Sequence, residues 1–184
     1  MLSFEDKDDF YFVQVLKRRK DNPEMERDMN VIDNFYINSL ESYDRIVPQI
    51  IKLCDMENAR GYFRLNKRNY KDLAPHMVKR VVELAFSNDC HALKNVFDSI
   101  AGENHSDPDK KWIIDVDNDK HVNYASLLEE VTRLQKEAGR EPMIELIPTK
   151  NGAHLITRPF NTMKFKVMFL LDLHKDNPTI LYCP

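Results

Sequence analysis

Apolar and polar positions alternate most sharply from residue 112 onward. Trp112-Ile-Ile-Asp-Val-Asp117 places Trp112, Ile114 and Val116 on one side and both acids on the other, the period of a half-buried strand. Residues 124–138 switch to helical spacing, with Leu127, Leu128, Val131 and Leu134 as the stripe and Gly139 as the stop. Two more apolar runs, 143–148 and 153–158, flank Asn151-Gly152. That dipeptide suits the positive-φ positions of a type I′ turn, so a β-hairpin is expected. Residues 163–171 form a further element whose type the pattern leaves open, and 179–183 read as a closing strand.

Upstream, the first eight residues are polar and expected to fray. Residues 10–16 form a strand running into the basic stretch Lys17-Arg18-Arg19-Lys20. Ile46, Ile50, Ile51, Leu53 and Cys54 place a helix over 43–57, with Pro48 weakening its first turn, and a short strand follows over 61–66. Pro75 suits the first position of a helix carrying Met77, Val78, Val81, Val82, Leu84 and Ala85 on one broad apolar face, and another helix covers 90–100. The polar stretch 102–109 is the expected lobe boundary. The fold class is therefore α+β with a mostly antiparallel sheet: one domain, with an N-terminal α/β lobe over 1–105 and a second lobe over 106–184.

Composition narrows the possibilities. A chain of 184 residues, 42% apolar and 31% charged, buries enough surface for a core and is not disordered. Only 4 glycines argue against a Gly-rich dinucleotide fold. With 27 basic and 30 acidic residues the net charge is −3, so any nucleic-acid contact has to come from a local basic face. Cys54, Cys90 and Cys183 lack zinc-knuckle or CxxC spacing. Their odd number and the missing signal-peptide pattern suggest a reducing, cytoplasmic setting. The longest apolar run, 167–171, is too short for a membrane span.

The candidate chemistry starts at Asp115 and Asp117, two apart on a strand and so on one face. Neighbouring carboxylates repel unless a cation sits between them, which an oxygen-preferring divalent ion does well; a solvated strand end explains an isolated pair equally simply. With Asn151-Gly152 as the turn, Thr149 lies opposite His154, and Ile156, Arg158, Ile147 and Glu145 share their face. Hydroxyl, imidazole and guanidinium together suit an anionic ligand, although an open polar sheet face has the same composition.

In this order the motifs resemble the archaeo-eukaryotic primase–polymerase superfamily. Two acids one apart after an apolar run match Asp115 and Asp117. A hydroxyl residue, a glycine-containing turn and a histidine match Thr149, Gly152 and His154. An apolar-Asp-apolar step leading to a strand that ends in proline places a third acid at Asp172. The resemblance covers about residues 110–184. It implies an RRM-like sheet with flanking helices and a metal-dependent nucleotidyltransferase that adds nucleotides to a 3′ end. By this resemblance Asp115, Asp117 and Asp172 hold Mg²⁺ or Mn²⁺, and Thr149, Lys150, His154 and Arg158 contact the triphosphate. Arg64, Lys67 and Arg68, with the run from Lys17 to Lys20, track the nucleic acid. Implied partners are nucleoside triphosphates, a DNA or RNA template–primer, and a helicase or accessory primase subunit, in replication of a phage or mobile element. A non-catalytic single-strand-binding protein on the same fold and a metal-dependent nuclease remain alternatives. His76, His91, His105 and His121 have no metal-ligand spacing and receive no role.

Overall fold

A computed structural model describes residues 2–103, 107–118 and 122–184. The chain divides into two compact units, residues 1–107 with 181–184, and residues 108–180. The expected boundary, 102–109, includes residues 104–106, which with 119–121 (and so His105 and His121) lie outside the described residues. Among the described residues no helix is long and apolar enough to cross a membrane.

The first unit is organised by β1 (Asp9–Arg18), which is buried on both faces. Tyr11, Val13 and Val15 point into one core, with Ile37, Phe63 and the inner side of α1 (Leu40–Glu57). Phe10 and Phe12 point the other way, onto Leu73 of α2 (Tyr70–Phe86) and Val96, Ile100 and Ala101 of α3 (Val96–Glu103). Each such side chain contributes roughly 1.5–3 kcal/mol of burial, which is why β1 reads as a near-continuous apolar run. β2 (Met29–Ile37) and β3 (Arg60–Arg64) pair antiparallel with β1, β4 (Arg68–Asn69) adds a short rung, and β9 (Pro178–Tyr182) lies beside β3.

Several expectations need correction here. The N-terminus is tied down: Leu2 and Phe4 pack on the first core, and the Ser3 amide donates to the Tyr11 hydroxyl at 3.2 Å. Helix α1 starts at Leu40 because Ser39 and Ser42 form a reciprocal cap, so Pro48 lies in its interior. Helix α2 likewise starts at Tyr70 behind the Asn69 cap, leaving Pro75 beyond the first turn. Residues 90–95 are a 3₁₀ helix running into α3.

In the second unit β5 (Trp112–Asp117), α4 (Tyr124–Glu137), β6 (Ile144–Thr149), β7 (Gly152–Thr157), α5 (Thr162–Met168) and β8 (Asp172–His174) follow in sequence. The sheet order is β6-β7-β5-β8 and every neighbouring pair is antiparallel. Ile114, Val116 and Leu155 turn toward the helices and pack with Leu127, Val131, Leu134, Phe160 and Phe165. Gln135, fully buried on α4, accepts from the amides of Met143 (3.1 Å) and Arg158 (3.0 Å), fixing the open end of the hairpin.

The hairpin turns one residue earlier than its Asn-Gly signal suggests. Thr149 pairs with Gly152 and Ile147 with His154, so Lys150-Asn151 is the two-residue link. Neither Lys150 nor Asn151 has positive φ, which excludes a type I′ turn. Gly152 serves a different need. A Cβ there would sit 2.0 Å from the Val116 carbonyl oxygen and 2.9 Å from the Asp117 Cα, so only glycine lets β7 lie this close to β5.

Candidate functional site

The sheet face of the second unit turned away from α4 and α5 carries the candidate residues in rows. One row crosses three strands: Asp172 on β8 is opposite Asp115 on β5, which is opposite His154 on β7. The next, toward the hairpin turn, holds Asp117, Gly152 and Thr149. On the other side, His174, Ile113, Ile156 and Glu145 form a third. Strand alternation together with this register puts these side chains on one face, and opposite partners in an antiparallel sheet have Cβ atoms about 4.5–5.5 Å apart. The register of the hairpin differs by two residues from the expected one, which moves Thr149 from opposite His154 to a diagonal position while preserving the face.

His154 is the most constrained of these residues. Nδ1 lies 2.8 Å from the Thr179 hydroxyl, and Nε2 faces the Asp115 Oδ1 at 3.8 Å. A carboxylate only accepts, so the tautomer with its proton on Nε2 is favoured, and Nδ1 then accepts from Thr179. Burial pushes the imidazole pKa below its ordinary 6.5; Asp115 and Asp117 pull it back up, and His174 adds to the fall. The ring is therefore neutral at pH 7 and offers one N–H to the site.

Asp115 and Asp117 are half-buried and Asp172 is exposed. Two carboxylates directly opposite one another are unfavourable without a cation, and their hard oxygen donors suit Mg²⁺ or Mn²⁺. Among the described residues no three acidic, histidine or cysteine side chains are already close enough together to hold an ion. The donor chemistry fits a divalent cation.

The outer positions fare differently. Lys150 is exposed at the hairpin turn. Arg158 is engaged beyond the end of β7: Nε donates to Asp109 at 2.8 Å and Nη1 to the Glu141 carbonyl at 2.8 Å. That guanidinium keeps the Asp109 carboxyl below its usual range. In the first unit, Lys67 and Arg68 are internal, contrary to their expected place along nucleic acid. Lys67 Nζ lies 3.0 Å from Asp9, and the 0%-exposed Arg68 donates from Nε to the Ala101 carbonyl at 2.8 Å and from Nη1 to the Asn66 carbonyl. Arg64 lines an open cleft of about 610 Å³, together with Gln14, Asn34, Asp98 and Glu103. In the basic run, Arg18 donates to the Tyr62 hydroxyl at 3.1 Å, while Lys17 and Arg19 face Glu57 at 3.9 Å and Asp28 at 3.7 Å.

Sequence reasoning missed two residues. His174 follows Asp172 by two, so alternation alone could have placed it on this face. Thr179 carried no signal, because its contact with His154 spans 25 residues. No protein-family model, curated protein or solved structure matches this chain.

Proposed function

We propose that this protein is a metal-dependent nucleotidyltransferase of the primase–polymerase type, adding nucleotides to a nucleic-acid 3′ end. One observation carries the reading: Asp172, Asp115 and His154 stand in a single row across three strands, with Asp117 beside them. The β-α-β-β-α-β succession and the strand order β8-β5-β7-β6 support the RRM-like arrangement that the motif resemblance implies. Asp115, Asp117 and Asp172 would hold Mg²⁺ or Mn²⁺, which when bound stabilises charge on the attacking and leaving oxygens of an in-line phosphoryl displacement.

The remaining work falls to the chain's own groups. His154, held by Thr179, directs its Nε2–H to a phosphate oxygen, and its neutrality keeps it a donor without a second cation in the row. The Thr149 hydroxyl and the Lys150 ammonium at the hairpin tip reach the distal phosphates. Arg158, engaged with Asp109, supports the hairpin base instead. Nucleoside triphosphates and a template–primer are the corresponding partners, with a helicase or accessory primase subunit supplying the strand opening that this site does not.

A labelled-primer assay with Mn²⁺ tests the reading. Asp115→Asn and Asp117→Asn should each lower extension by about 10²-fold or more while leaving the fold intact. Extension at wild-type rate in either variant refutes it, and shortening of the primer points to a nuclease. The exposure of Asp172 favours a second reading, a non-catalytic single-strand-binding protein. Binding that ignores EDTA, with no Mn²⁺-dependent product, would establish that alternative.

A further inference from the structure

His174 is the second imidazole of the candidate face, and nothing in the proposed chemistry uses it. Leu173 packs with Ile114 on the helix side, so alternation turns His174 onto the face of Asp172, and its partner across the ladder is Ile113. The ring is half-buried, and among the described residues it makes no hydrogen bond or ion pair. His154 differs in this respect, since Thr179 holds one of its nitrogens. Both ring nitrogens of His174 are thus left for solvent or a ligand to satisfy.

Resting on the nucleotidyltransferase reading, we infer that His174 recognises the sugar of the incoming nucleotide through a hydrogen bond to one of its hydroxyls. The order of the rows gives the position. Thr149 and Lys150 lie on the hairpin side of the row that holds Asp172, Asp115 and His154, and the distal phosphates go there. A nucleoside triphosphate presents its groups in a fixed order: distal phosphates, α-phosphate, sugar, base. With the α-phosphate at the acidic row, the sugar follows on the side away from the hairpin, where His174 stands.

Two residues along a strand span about 7 Å, the reach from an α-phosphate to the hydroxyls of its own sugar, and the base lies farther out. Ile113 and Ile156, the next members of the His174 row, are 2% and 1% exposed, so the accessible end of that row is the β8 edge that carries His174. The chemistry selects a hydroxyl. An anion at this position would face the Asp172 carboxylate two residues away, whereas a hydroxyl both donates and accepts and so matches either ring nitrogen.

Calorimetric titration of the full chain in Mg²⁺ without primer is the test, using ATP, its 2′-deoxy and 3′-deoxy analogues, and inorganic triphosphate. The wild-type protein should bind ATP about 3- to 10-fold more tightly than one of the two analogues, the one lacking the hydroxyl that His174 meets. His174→Ala should remove that difference and leave the affinity for inorganic triphosphate unchanged. His174→Gln, whose amide also pairs with a hydroxyl, should retain part of it. A further readout needs no variant: the His174 ring signals in NMR spectra should shift more with ATP than with the weaker analogue. Equal binding of ATP and both analogues, a difference that survives in His174→Ala, a matching loss of inorganic triphosphate in that variant, or ring signals that respond alike to all three nucleotides would each overturn the sugar contact while leaving the acidic site standing. If no triphosphate binds, or if binding is indifferent to Asp115→Asn, the nucleotidyltransferase reading fails and the sugar contact fails with it.

Discussion

Replacing Gly152 by alanine tests how the candidate face is built. The added methyl carbon would sit 2.0 Å from the Val116 carbonyl oxygen and 2.9 Å from the Asp117 Cα. Both are backbone atoms of β5 and cannot rotate away, so β7 must lift off β5 at the Asp117–Gly152 rung. Relief by more than an ångström breaks ladder hydrogen bonds on a strand with neighbours on both sides. Overpacking contributes about 1–3 kcal/mol and each unpaired backbone group about 1–3 kcal/mol more, so a loss of about 3 kcal/mol or greater is expected. Trp112, the only tryptophan, lies on β5 against Phe160 and reports on this unit. Followed by its fluorescence, the urea midpoint should fall by about 1–3 M. Gly139→Ala is the comparison: its φ is +69° and nothing lies within 4 Å, so only about 1 kcal/mol of left-handed strain is added. A Gly152→Ala protein within 1 kcal/mol of wild type would show that close strand approach does not set the hairpin register.

Two further outcomes follow from the same packing. His154 binds its proton less tightly when folded than when unfolded, since burial lowers its pKa from 6.5. Its contribution is therefore intact above pH 6.5 and lost as pH falls through 6.5 toward the folded value; His154→Gln should flatten that part of a stability-against-pH curve, and an unchanged slope would contradict the assignment. Arg68→Met removes a buried guanidinium from the Ala101 and Asn66 carbonyls and should lower stability by about 3–5 kcal/mol in thermal or urea unfolding, whereas a nucleic-acid role would leave stability unchanged.

What was legible in the sequence is what one element decides alone. Trp112–Asp117 alternates with period two, and the stripe from Leu127 to Leu134 has helical spacing; both lie where the pattern puts them. The edge strand β2 was not anticipated, because exposed Met29 and Val31 alternate with polar Asn30, Ile32 is only partly covered, and Asp33-Asn34 are poor strand formers. The Asn-Gly dipeptide announced the hairpin but misplaced its turn, since the glycine answers to Val116 on another strand. Lys67 and Arg68 resembled surface charges because their partners, Asp9 and Ala101, are 58 and 33 residues away. The apolar face of α2 resembled core for the opposite reason: periodicity shows that a face exists, not what covers it. Of the candidate site, alternation placed Asp115 with Asp117, while the row joining them to Asp172 and His154 depends on strand order.

The claim on which the functional reading rests is that the acidic row binds a divalent ion, and paramagnetic broadening by Mn²⁺ in amide NMR spectra measures this directly. In the presence of a nucleoside triphosphate, signals of residues 115–117, 154 and 172–174 should broaden first, and Asp115→Asn should abolish the effect. Broadening that begins elsewhere on the surface, or that persists unchanged in Asp115→Asn, would contradict it.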